Sequence, residues 1–193
     1  METGTLSQKK TLSGFLSKAQ IAWWEALLLF GLGATAVLLH QTLRAPLNLP
    51  GRHGLEWMAL LILGRVLSHS RVAGSITSAG AATFSVLPIW GAGHDPFIWL
   101  IYLVPGLLMD VVFAKLPAMT GKLWFLAMLG SLAHATKPLI RLVITQVTGF
   151  PFGSLLYGIL YPLGSHLLFG LLGGLLGGLL ALSVKKLTSK PKA

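Results

Sequence analysis

Cysteine is missing from the chain altogether, so disulfides, iron–sulfur clusters and thiolate-ligated zinc are excluded, and with them the usual clue to redox compartment. Charge is scarce as well: Asp, Glu, Lys and Arg make up 10% of the 193 residues, against about a quarter in an average soluble domain. Only five of the charged residues are acidic, which leaves a formal net charge of +10. There is no HExxH, no Ser-His-Asp order, no paired catalytic carboxylates and no phosphate-cradling loop, so the chain does not hydrolyse ATP by itself. What it has instead is apolar surface: 54% hydrophobic residues, 23 glycines and a mean hydropathy of +0.76. This composition argues against a soluble enzyme and for a chain whose solvent is mostly lipid.

A spanning helix needs roughly 20 apolar residues at about 1.5 Å each. Six segments qualify as candidates, at 21–43, 54–68, 73–90, 96–116, 123–147 and 162–184, the second being short and requiring protein cover or a thinned bilayer. Counting Lys and Arg on alternate sides places Lys9, Lys10, Lys18, Arg65, Arg71, Lys115, Lys122, Lys185, Lys186, Lys190 and Lys192 together, against Arg44 and Arg52 on the other side. By the positive-inside rule this predicts an all-α integral membrane protein of the cytoplasmic membrane with six spans and both termini in the cytoplasm. Residues 1–20 read as a polar cytoplasmic tail before a retained first helix, 21–184 as the membrane domain and 185–193 as a basic tail. The basic residues are accounted for by orientation in the bilayer, so no nucleic-acid partner is expected. The third segment, rich in Gly, Ala, Ser and Thr, is expected at the centre of the bundle. Gly170, Gly174 and Gly178 recur every four residues and predict a packing seam, the alternative being a groove for a partner.

Ionisable residues inside a membrane are costly and mark function. His40, His53, Glu56, His94, Asp95 and His166 come from different segments but share the extracytoplasmic depth. In the fifth segment His134, Pro138, Arg141 and Thr145 follow 4, 3 and 4 spacing and lie on one face, with Lys137 beside them. Lys137 stands about 21 Å along the helix from Leu123, past the midplane, and Pro138 frees a backbone carbonyl near His134. Two cations there require a counter-charge or a wet cavity. Either they line a site for a carboxylate or phosphate ligand, or they pair internally with Glu56 or Asp95. The aromatic residues Trp57, Trp90, Phe150, Phe152, Tyr157 and Tyr161 lie at the same level; they stack on a heterocycle or form an interfacial belt. His beside carboxylate also suggests metal ligation, but no dense His cluster exists and the cations repel a divalent ion, so no metal or other cofactor is expected. Glu25 and Asp110 lie toward the inner side, suited to pairing with inner cations.

Six helices in about 190 residues, the PGRHGLEW loop after the first helix, a small-residue third helix and a glycine-rich last helix resemble the substrate-binding (S) components of energy-coupling factor (ECF-type) vitamin transporters. The resemblance implies a membrane binding protein that captures a micronutrient from outside and hands it over on a transmembrane coupling subunit driven by two ATPases. It implies a binding cavity at the extracytoplasmic end, with Asn48, Arg52, His53, Glu56 and Trp57 at the lid and His94, Asp95, His134, Lys137, Arg141 and His166 along the walls. Ala22 and Ala26 match the family's Ala-x-x-x-Ala surface for docking the coupling subunit, although Trp23, Trp24 and Glu25 intervene. Met1 is followed by Glu2, unlike the Met-His start of cobalt and nickel relatives, so their metal chemistry is not carried over. Three other readings stay open: an intramembrane enzyme using His and carboxylate, with or without a metal, a divalent-metal uptake subunit, and an assembly scaffold.

Overall fold

In the computed structural model residues 21–43, 49–87 and 95–189 are described. Among them are six α-helices and no strand: α1 (Trp23–Thr42), α2 (Gly54–Leu67), α3 (Ala73–Ser85), α4 (Ile98–Lys115), α5 (Leu123–Thr148) and α6 (Leu160–Thr188). Each helix falls on one of the expected segments. The third stops at Ser85, and the last runs on through Lys185 and Lys186, which the sequence had assigned to a tail. Lysines suit a helix's final turn, where they complement the carbonyl end of the dipole and reach to the interface. Gly149, with φ of 73°, ends α5 by taking the left-handed conformation that closes the last turn onto Thr145.

Four helices, α1, α4, α5 and α6, are long and apolar enough to cross a membrane. With 14 and 13 residues, α2 and α3 rise only about 20 Å, short of the ~30 Å hydrocarbon thickness. Their position explains how this is tolerated, because α2 touches all five other helices and buries Trp57, Met58, Leu61, Ile62 and Val66. Protein covers most of its length, so its ends need not reach both interfaces. The centre of the bundle therefore belongs to α2, not to the small-residue α3 as expected. Instead α3 lies between α1 and α4, where its small residues allow the closest approach: a Cβ added at Gly74 would fall 2.7 Å from the Gly106 carbonyl oxygen.

The α5–α6 pairing is the most extensive, and glycine is the reason. A Cβ at Gly170 would meet the Gly130 carbonyl oxygen at 2.6 Å, and one at Gly174 the Leu126 carbonyl oxygen at 2.6 Å. The predicted stripe is thus a seam within the bundle. A second set, Gly173 and Gly177, faces α2, so α6 meets two neighbours with bare backbone. Without a hydrophobic drive in lipid, such close packing is what holds helices together.

The helices alternate in direction, which sorts the polar residues to two ends. His40 meets His53 at one end of the α1–α2 pair (5.1 Å between ring centroids) and Glu25 accepts from Ser68 Oγ (2.6 Å) at the other. The first is the histidine end; the second, which also carries Lys115, Lys122, Lys185 and Lys186, is the basic end. Exposed Trp23, Trp24 and Trp124 ring the basic end, and exposed Trp99, Tyr157 and Tyr161 ring the histidine end. Two such girdles are what two membrane interfaces impose. Near the basic end, buried Asp110 of α4 accepts from the Gly74 and Ser75 backbone N–H groups (2.9 and 2.8 Å) and pairs with Arg65 Nε (2.9 Å). Asp110 and Arg65 thus partner each other, which accounts for the carboxylate expected on that side, and the Arg65 guanidinium lies over the Phe113 ring.

Candidate polar site at the histidine end

Pro50-Gly51-Arg52-His53 turns the chain from α1 into α2 directly over α5 and α6. Gly51 has φ of 76°, and a Cβ there would lie 2.5 Å from His166 Nδ1, so a side chain is barred by both conformation and space. Its carbonyl accepts from His134 Nε2 at 2.9 Å. Two residues on, His53 Nε2 accepts from Lys137 Nζ at 3.0 Å. The turn is therefore held to α5 by one backbone and one side-chain hydrogen bond, with Gly51 laid on the His166 ring.

Four imidazoles gather beneath it. His134 and His166 stack at 4.6 Å, and His53 lies 5.0 Å from His134 and 5.1 Å from His40. His166 Nδ1–H donates to the Pro162 carbonyl at 2.6 Å, the carbonyl its helix would otherwise use. With one nitrogen of each ring engaged by a carbonyl, His134 Nδ1 and His166 Nε2 remain buried without a partner. The carbonyl contacts put the N–H on the other nitrogen of each ring, so in a neutral imidazole these two nitrogens are acceptors.

Lys137, 1% exposed, meets no carboxylate within ion-pair distance among the described residues. Its ammonium sits over the Tyr102 ring at 3.8 Å and near the Trp57 ring at 5.3 Å, contacts in which ring quadrupoles replace a counter-ion. One turn further, Arg141 donates to Ser154 Oγ at 3.4 Å and lies 5.5 Å from the Phe152 ring. Arg141 Nε and Trp57 Nε1 are buried donors without acceptors. Internal pairing with Glu56 or Asp95, one of the two expectations, is not formed. Asp95 instead accepts the Phe97 N–H at 2.9 Å and starts α4, acting on Arg141 only from a distance. Glu56 Oε2 is buried and unpartnered.

The structure brings His53, Trp57, His134, Lys137, Arg141 and His166 to one end, and Arg52 and Asp95 to its margin. Asn48, His94 and Trp90 lie outside the described residues. Of the aromatic residues, Trp57 and Phe152 are buried beside the cations, whereas Tyr157 is 95% exposed and Tyr161 also faces outward, as a girdle. Tyr102 and Gly51 were missed. Tyr102 lies one to two turns into α4, a position that marks depth but not direction, and Gly51 carries no side chain to signal a role. Ala26 is half-buried and Ala22 exposed on the α1 face whose next turns, Leu29 and Gly33, are buried, so only the first turn offers that pair to a partner.

Between His40, His53, Trp57 and Tyr102 the remaining cavity is about 10 Å³, room for about one water. The cluster is thus packed on itself. Among the described residues no group of three or more His, Asp or Glu side chains is arranged to hold a metal ion. Compared with family models, curated proteins and solved structures, the chain finds no match. Fold and site together define a multi-helix membrane protein with a buried cationic and histidine-rich cluster at one end.

Proposed function

We propose that the chain is a substrate-capture subunit, an ECF-type S component of six spans, embedded in the cytoplasmic membrane with both termini inside. It takes a small anionic or heterocyclic micronutrient at the histidine end and passes it to a transmembrane coupling protein driven by two ATPases. The observation that carries this reading is the hydrogen-bond imbalance at Lys137 and Arg141. Buried Lys137, half-buried Arg141 and the Trp57 N–H converge with one imidazole and one serine as their acceptors. A carboxylate or phosphate supplies the missing acceptors, and Arg141 can hold it through its free Nε. The ligand enters by lifting the 50–53 turn, whose His53–Lys137 hydrogen bond it replaces. Ala22 and Ala26 serve the coupling protein through the first turn of α1.

The test is affinity purification of the full chain in mild detergent, with mass spectrometry of co-purifying proteins and of small molecules released on denaturation. Two ATPases, a coupling membrane protein and an acidic molecule absent from the Lys137→Ala and Arg141→Ala preparations are expected. A chain that purifies alone, or variants that retain the same molecule, would overturn the reading. The 3.0 Å contact between Lys137 and His53 also favours a second reading, an intramembrane enzyme using that pair as acid and base. Turnover by the isolated protein distinguishes it.

A further inference from the structure

An apolar groove lies at the opposite end from the histidine cluster. It holds about 720 Å³ between α1 and the second half of α2, and its walls include Leu28, Gly31 and Thr35 of α1 and Leu63 and Leu67 of α2. One end is polar, formed by Glu25, Ser68 and His69. Glu25 takes the Ser68 hydroxyl at 2.6 Å, and among the described residues no Lys or Arg comes within ion-pair distance of it. Among the described residues it is a carboxylate without a cation at the end of the molecule that carries the lysines, whereas Asp110 near the same end pairs with Arg65. The groove opens beside exposed apolar residues of α1, Leu27 and Leu28.

We infer that this groove binds one phospholipid whose headgroup carries a primary ammonium, the acyl chain lying along Gly31 and Thr35 and the ammonium on Glu25. The shape is amphipathic in the order a lipid is: a long apolar channel closed by a polar end at interface depth, beside Trp23 and Trp24. Charge chooses among headgroups. Glu25 and the Ser68 oxygen accept hydrogen bonds from an –NH3+ group, which donates three. A quaternary ammonium donates none, and an anionic glycerol headgroup is repelled. Gly31 keeps the channel open, since nothing lies within 4 Å of where its Cβ would be. His69 on the rim adds a donor for the lipid phosphate.

The test uses the full chain, delipidated in detergent and titrated with phosphatidylethanolamine, phosphatidylcholine or phosphatidylglycerol of identical acyl chains, with bound lipid counted by native mass spectrometry. One phosphatidylethanolamine per chain is expected, preferred over the other two by about fivefold, the scale of a single partly buried charge contact. Glu25→Gln removes that preference and leaves residual binding; Gly31→Leu lowers binding of all three. Thermal unfolding of each variant checks that the bundle is intact. Equal binding of the three lipids, or a preference that survives in Glu25→Gln, overturns the inference. So does a photo-crosslinker at position 35 that yields a protein adduct in native membranes and no lipid adduct. The histidine-end ligand plays no part in this measurement, so its outcome is independent of the transport reading.

Discussion

At Gly51 a single missing Cβ decides how the turn sits on α5 and α6. Gly51→Ala places a methyl group on the His166 ring in a backbone region that L-residues avoid, a strain of about 1–3 kcal/mol. A fall in the thermal midpoint of several degrees is expected, together with looser retention of the proposed ligand. Asp110 is the second such residue. Asp110→Asn keeps the size but removes the charge that Arg65 needs, and breaking a buried ion pair from one side costs about 3–5 kcal/mol. The expected outcome in a thermal-unfolding measurement is a variant that barely accumulates folded. Both roles depend on contacts between residues dozens of positions apart. Asp110 was legible as an inner carboxylate seeking a cation, while its partner was not.

Helices were the readable scale. Each of the six segments was visible as an apolar run, because a chain in lipid must satisfy its backbone within the segment and announces this by length and hydropathy. The α6 glycines were readable too, since a four-residue recurrence of the smallest residue gives a smooth stripe on any helix. Gly174→Leu forces a side chain into the Leu126 carbonyl and separates α5 from α6. Loss of the folded monomer on size-exclusion in detergent is expected, whereas Leu175→Ala, on the exposed side of the same turn, leaves the profile unchanged. What the segments did not reveal was which one is central. Small residues in α3 suggested the middle of the bundle, yet small residues serve any close pair. The helix that touches all the others is α2, whose large side chains fill the core.

For the whole molecule, absence of cysteine makes sidedness directly measurable. Single cysteines at Tyr157 and Lys186 stand at opposite ends of α6 on exposed positions. In intact cells an impermeant maleimide is expected to label the first and spare the second until the membrane is opened; the reverse pattern overturns the proposed orientation. The helical class, the six segments and the gathering of most of the lysines at one end were legible in the residues alone. Those properties follow from hydropathy and from counting along the chain, which are local. It took the packed bundle to show that Lys137 meets His53 and two aromatic rings rather than a carboxylate, that Tyr102 joins the cluster while Tyr157 leaves it, and that the turn at Gly51 closes over His134 and His166. Each of these depends on how a helix is rotated about its own axis. Rotation is set by neighbours packing on every side, and near-uniform apolar helices such as α4 and α6 carry almost no record of it in their own residues.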